Sequence, residues 1–567
     1  MKERHASYRL FIWASIAMRL NVTGPATVWA LGLIFAGPLH AQAQPQAVTN
    51  SAEQRVTVNR FAITGNTLLP QAALLEALDR FKGERTLDEL KQAALAVQEK
   101  YREAGFSAVI AYVPPQPAVK GVATIAVLEG RLQRVDVIGN KQFSEANILR
   151  SLPLLAPGLT PQVPRLDAQI QLANDHPSKK VAVLLEAGAQ QGEVQAHITV
   201  TEAPVQRWVA SLDNTGNAAT GQLRASLSYL HSALWDLDHQ LALQFQLAPE
   251  KPSAVAVFSA SYRVPFHAQG MTLDAYAAHS NVDGGSTASA AGAVQFSGKG
   301  VVLGTKLTKY LRRWGEVDQR VVFGLDQRAY INDCSVAGLP AGACGAAGES
   351  VTVHPLSLEY TAQRPGALPV GVSVSVARNL ALGGAHGSAA NFDAVRSGAK
   401  REYTQLRANL SAGFALPQRW QAQLRVNGQF SRDALVSGEQ FGLGGAYSVR
   451  GYAEREMLGD SGVAGSAEIY TPELTRLKAA VAGDASSSAR LLAFVDAGQV
   501  RNRLGTPCLD VATRTATHCG LASFGVGLRA ATGALQFRLD LSQALRDAQR
   551  TKRNDLSASF QVVYSFI

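Results

Sequence analysis

The fold class this sequence predicts is a pair of α+β modules, each ordered β-α-α-β-β, followed by a 16-stranded antiparallel transmembrane β-barrel. Three observations carry that expectation. A secretion signal opens the chain. A strand, a Gly-Asn pair and a helix occur in that order twice, with the pairs at 65–66 and 139–140. From about residue 206 helical periodicity disappears, and period-two alternation of apolar and polar side chains continues to the C-terminus.

The N-terminus comes first. Lys2, Arg4, Arg9 and Arg19 precede the apolar run "ATVWALGLIFAG", and "AQA" at Ala41–Ala43 supplies the small-x-small cleavage pattern. Residues 1–43 are expected to be a signal peptide and 44–54 a short polar leader. No other window holds ~20 continuous apolar residues, so no helix is expected to span a membrane. An exported chain of this kind is either soluble or a barrel. Among 567 residues only 17% are charged and the formal net charge is +10, with no dense Lys/Arg run. That balance suits an anionic surface weakly and argues against nucleic acid as a partner.

The modules follow, at 55–130 and 131–204. "VNRFAITGNTLLPQAALLEAL" (58–78) is echoed by "LQRVDVIGNKQFSEANILRSL" (132–152). A second helix comes next in each. "LDELKQAALAVQEKYREAG" (87–105) sets Leu90, Ala94, Val97 and Tyr101 on one face and ends at Gly105; "LDAQIQLAND" (166–175) is its counterpart. Strands "SAVIAYV" with "VATIAVLEG", and "VAVLLEAG" with "VQAHITVTEA", close the two units.

The barrel is expected over 206–567. In "QLALQFQLA" (240–248) Leu241, Leu243, Phe245 and Leu247 share a face opposite Gln240, Gln244 and Gln246. "WQAQLRVNGQF" (420–430), "LQFRLDLS" (535–542) and the last strand, with Phe560, Val562, Tyr564 and Phe566 on its apolar face, repeat the pattern. A soluble sandwich would turn that face inward, a membrane barrel outward. Three features favour the barrel. There are too many strands for one sandwich, Arg538 and Asp540 stand at polar positions as a hydrated lumen permits, and short turns such as "HAQG" (267–270) alternate with long polar loops.

Cys334 and Cys344 fall in one long loop, Cys508 and Cys519 in another, and each pair is expected to close a local disulfide in an oxidising compartment. The competing zinc reading lacks the ligand spacing. "GVGLRA" (525–530) fits a dinucleotide pattern but opens no helix and reads as barrel wall. With no P-loop, metalloprotease or nucleophile-elbow motif, neither catalytic residues nor a metal or cofactor are expected.

Taken together, "VLEGRLQRVDVIGN" at the module junction, "SLDNTGNAATG" (211–221), "SVRGY" (448–452) and "FVDAG" (494–498) resemble the hallmarks of the two-partner secretion outer-membrane transporters, the TpsB family, over roughly residues 55–567. The resemblance implies that the modules are periplasmic POTRA domains and that loop 434–460 folds back into the lumen. It places the loop motif on Val449, Arg450, Gly451 and Tyr452, with Arg450 pairing Asp496 of the strand motif Phe494, Asp496, Gly498. It also implies an N-terminal plug helix, for which the dozen or so residues before Val56 are too short. The physical case for the pair stands beside it. A long Gly-rich loop has much entropy to lose, and a bidentate Arg–carboxylate contact in a narrow lumen can hold it. The implied function is capture of an unfolded TpsA-like exoprotein by the POTRA domains and its passage through the barrel. The implied partners are that exoprotein, outer-membrane lipid and the barrel-assembly machinery. A membrane-protein insertion factor of the same superfamily and a porin-like channel or receptor stand as alternatives.

Overall fold

The computed structural model describes residues 55–116, 121–217, 220–281, 285–289, 292–296, 299–331, 349–474, 487–508 and 516–566. The expected signal peptide, leader and plug, and the pair Cys334 and Cys344, lie outside the described residues.

Strands Arg60–Thr64, Val122–Glu129 and Val109–Tyr112 form a sheet in that order, parallel and then antiparallel. Helix Leu87–Glu103 starts where Thr86 closes a capping box with Glu89, and stops at Gly105, whose φ is +91°. Its Leu90, Ala93, Ala94, Val97 and Tyr101 are buried against Phe61, Ile63, Ile125 and Val127 of the sheet. A strand pair the sequence did not reveal, Val56–Val58 with Gly83–Arg85, adds to this module. Strands of three residues are too short to display alternation.

Residues 131–202 repeat the order, with sheet Arg131–Ile138, Glu193–Glu202, Lys179–Ala187 and helices Glu145–Ser151 and Val163–Asn174. The second helix begins before residue 166 because Pro164 is tolerated in a first turn, where its missing N–H is no loss.

The repeated Gly-Asn pair has a physical cause. Gly65 and Gly139 have φ of +80° and +89°, and a Cβ there would lie 2.2 Å from the Val127 carbonyl oxygen and 2.4 Å from that of Val200. Only glycine fits. Asn66 and Asn140 then donate to the Leu69 and Phe143 carbonyls at 3.3 and 3.1 Å. A glutamate on each central strand completes the turn. Glu129 accepts from the Thr67 and Leu68 N–H groups at 2.7 and 2.8 Å, Glu202 from those of Lys141 and Gln142 at 2.9 and 2.8 Å. Burial works against the charge of Glu129, but the bonds from Thr67, Leu68 and Tyr101 outweigh it and hold its pKa below the usual value. Gly65→Ala is expected to destabilise this module by about 2–4 kcal/mol, backbone strain plus collision. Gly83→Ala, at φ +103° with nothing within 4 Å of a new Cβ, should cost only the strain. Thermal melts of the two variants check the difference.

Sixteen strands, from Gln206–Asp213 to Leu556–Phe566, close an antiparallel barrel. Val351–Val353 and Pro355–Arg364 form one of them, since both pair with Asp318–Tyr330. The last strand joins the first from Gln561↔Asp213 to Phe566↔Trp208. Phe258 and Val495 are 50% and 56% exposed on the outer face, while Asp274, Asp496 and Asp540 are buried within. The apolar faces therefore point outward, and the sandwich alternative falls. Every tryptophan after residue 54 sits at the end of the barrel that carries the modules. Trp208 lies near the start of the first barrel strand, Trp420 directly precedes the strand that begins at Gln421, and Trp235 and Trp314 occupy connecting turns.

The second module is fastened to this end through the turn 235–238. Trp235, Asp236 and Asp238 all hold positive φ (62°, 54° and 60°), which costs a bulky residue such as tryptophan most. Contacts from the module keep them there. The Asp236 carbonyl accepts from Asn147 Nδ2 and Arg150 Nη1, both at 2.9 Å. The Asp238 carboxylate accepts from Lys179 Nζ at 2.6 Å, Asn147 Nδ2 at 2.8 Å and His267 Nε2 at 3.1 Å. Nearby, His176 Nε2 meets the Ser232 carbonyl at 2.6 Å, and its ring stands edge-on to Phe143.

Candidate functional site

Residues 432–460 connect strands Gln421–Ser431 and Ser461–Tyr470, spanning the loop expected at 434–460. The root of this loop is a small antiparallel hairpin, Phe441–Leu443 with Met457–Gly459. Gly444 and Gly445, with φ of +105° and +103°, turn the chain out of it. Arg450 lies at the far end and is 2% exposed.

The geometry around Arg450 is that of a filled socket. Nε and Nη2 donate to Asp496 Oδ2 and Oδ1 at 2.7 and 2.8 Å, and the backbone N–H of Arg450 donates to Oδ2 at 3.1 Å. Nη2 also donates to Ser466 Oγ at 3.0 Å. Nη1 faces Glu468 at 2.7 Å and Asp540 at 3.5 Å as an ion pair, off hydrogen-bond angle. The guanidinium stacks on Phe494, 3.4 Å from the ring centroid. One arginine thus meets three carboxylates from three wall strands. Asp540 shares Arg529 and Arg538 at 2.7 Å each, and Glu468 has Arg425 and Tyr470 at 2.8 and 2.7 Å. Asp496 has no second cation among the described contacts.

The structure brings the motif residues together. Val449 is buried in an apolar cluster with Leu443, Tyr452, Met457, Val500, Leu521 and Ala544. Gly451 has φ +91°, and a Cβ there would stand 3.3 Å from Ser542 Oγ. The Tyr452 hydroxyl accepts from the Arg546 N–H at 3.0 Å and lies 2.9 Å from the Ala522 carbonyl. At Gly498 a Cβ would fall 2.3 Å from Leu443 Cδ1, so this wall position must be bare for the loop root to seat. Gly525, in the set-aside "GVGLRA", does the same for the Phe494 ring, 2.4 Å from where its Cβ would be. Tyr447 stays 63% exposed, with Arg538 5.2 Å above its ring. Cys508 and Cys519 form a disulfide beside the loop root.

Sequence reasoning missed Ser466, Glu468 and Asp540 as socket members. Their signal was a polar or acidic residue at an inward position of an alternating strand. Nothing local says that three such strands converge.

A protein-family model of the haemolysin secretion/activation proteins ShlB/FhaC/HecB matches residues 192–530, more than half of the chain. The chain belongs to this family. A model of the ShlB-type POTRA domain matches residues 56–130 of this ShlB/FhaC/HecB-family member. Its fold is similar to CdiB from Escherichia coli, with TM-score 0.69, 17% identity and coverage of 92% and 93% of the two chains. CdiB from Acinetobacter baumannii is similar too, with TM-score 0.64, 18% identity and 90% of each chain. The Heme/hemopexin transporter protein HuxB of Haemophilus influenzae is 28% identical over 149 residues, so the match spans a quarter of that relative's length. The family comprises transporters of two-partner secretion, with the barrel in the outer membrane and the POTRA domain in the periplasm.

Proposed function

We propose that this family member exports an unfolded TpsA-like exoprotein. The α+β unit at 131–204 acts as a second POTRA domain beside the one at 55–130, and both hold the exoprotein before it enters the barrel. Their edge strands support this reading. Among the described residues, Val109–Tyr112 and Lys179–Ala187 each pair on one side only, and they alternate exposed apolar residues, Ile110 with Tyr112 and Leu184. Such edges accept an extended chain by strand addition. Outer-membrane lipid surrounds the apolar band, and the barrel-assembly machinery inserts the barrel. Residues 1–43 are removed as a signal peptide, and 44–54 form the leader.

The observation that carries the transport reading is the loop tip held inside the lumen by Arg450 and Asp496. A chain cannot pass while the tip fills the lumen, so the loop must move for export and return afterwards. The latch is a side chain and not a covalent tie, which makes the step reversible. Arg450→Ala is expected to leave the barrel assembled, as heat-modifiable gel mobility reports, while secretion of the exoprotein falls severalfold or more. Normal secretion from the variant would overturn the latch.

A further inference from the structure

The loop is held at its root as well as at its tip. We propose that a second buried ion pair, Arg396 with Asp460, is a gating lock of the outer mouth that works independently of the Arg450 socket. This rests on the transport reading above.

Asp460 is the last residue of the loop and is fully buried. Its Oδ1 accepts from Arg396 Nη1 at 2.5 Å, the Leu435 N–H at 2.9 Å and Gln440 Nε2 at 3.1 Å. Oδ2 accepts from Arg396 Nη2 at 3.0 Å and from the Arg503 N–H at 2.7 Å. These donors come from three connections on the side away from the modules. Arg396 belongs to 380–403, Leu435 and Gln440 to 432–460, and Arg503 to 502–517. A single carboxylate therefore ties three outer loops together.

Arg396 is placed for this by the element before it. Helix Ala389–Val395 is capped by Ser388, and Arg396 is its C-terminal cap residue. Phe392 of that helix is fully buried with Val351, Val353, Tyr403, Leu435 and Val436. The helix thus presses on the loop root, and Arg396 fixes it there, with Nη1 also donating to the Leu435 carbonyl at 2.6 Å. To free the root, the loops must part, and parting them unpairs a buried carboxylate and a guanidinium that is itself 89% shielded, its side chain being 11% exposed. That is a barrier of the kind a gate needs. The neighbouring pair Lys400–Asp433, at 3.4 Å with Lys400 69% exposed, offers no such barrier.

The test is single-channel conductance of the purified full-length protein in planar lipid bilayers. Arg396→Gln and Asp460→Asn are expected to raise the fraction of time spent open by about tenfold or more, as loss of a buried charge-assisted pair implies. Arg396→Lys, which keeps the charge but not the fork, should give an intermediate value. Lys400→Ala should match the parent. Combination with Arg450→Ala should open the channel further than either change alone. Parent-like conductance in Arg396→Gln and Arg396→Lys, both showing heat-modifiable mobility, overturns the lock. Equal openings from Lys400→Ala and Arg396→Gln overturn it as well, since any surface charge would then do. Exoprotein secretion is measured separately. Its persistence in Arg450→Ala cells would remove the tip latch, and its persistence in cells lacking this protein would remove the transport reading, while the conductance result stands in either case.

Discussion

Arg450→Glu is expected to turn a closed barrel into an open one. The substitution places a fourth carboxylate among Asp496, Glu468 and Asp540, and Asp496 loses its cation. Breaking a buried pair by removing one partner costs on the order of 3–5 kcal/mol. Reversing a two-state equilibrium from 99:1 to 1:99 takes about 5.5 kcal/mol. Half of that span is enough for balance, so Arg450→Ala brings a tip held at 99:1 to balance or beyond, and the added repulsion in Arg450→Glu carries it further still. Lumen conductance should rise stepwise from parent to Ala to Glu, and the thiol of Val449→Cys, at a fully buried position in the seated loop, should become reactive to a bulky membrane-impermeant reagent. If Ala and Glu behave alike, charge is not what holds the tip, and packing of Val449 and Tyr452 is.

The second large effect is expected at the module–barrel junction. Asp238→Asn keeps a side chain that tolerates positive φ but removes the charge facing Lys179, whose side chain is fully shielded. The stranded ammonium should weaken the junction by about 3 kcal/mol or more, seen as faster proteolysis between the second module and the first strand. Adding Lys179→Met should restore much of the loss, because the buried charge goes with it. Acid should act in the same direction. Burial lowers the pKa of His176 from 6.5 to about 4, outweighing the pull of Asp238. The unfolded state then binds the proton first, so stability falls as pH drops from about 6.5 to about 4, by at most about 3 kcal/mol. Burial opposes the charge of Asp238, but His267 and Lys179 hold its pKa well below the usual carboxylate range. Its contribution is therefore present above that range and is lost below it, with the same sign. Proteolysis should accelerate over this window, and His176→Gln should flatten the response.

The barrel was legible because lipid imposes a period of two that no loop can imitate, and "LQFRLDLS" carries it without interruption. The modules were legible because Gly65 and Gly139 mark a backbone that only glycine adopts. Arg450 and Asp496 came from motif resemblance, and their neighbours did not. Glu468 and Asp540 lie on strands that approach Asp496 only because the sheet closes. Asp460 and Glu439 look like ordinary loop acids, yet both are buried, the latter holding Arg328 at 3.0 Å. The junction escaped notice for a similar reason. "LWDLD" reads as a plain hairpin turn, and only the docked module reveals why it carries Trp235 and two aspartates where glycine or asparagine would relax the backbone.

The placement of the tryptophans makes the chain its own optical reporter. With the proposed signal peptide, which carries Trp13 and Trp29, removed, indole emission would arise only from Trp208, Trp235, Trp314 and Trp420, all at one rim. Its colour and its quenching by brominated lipid therefore sense a single leaflet and the docking turn, and are blind to the loops on the far side. A spectral change on binding a secreted chain would report an event at the entrance alone.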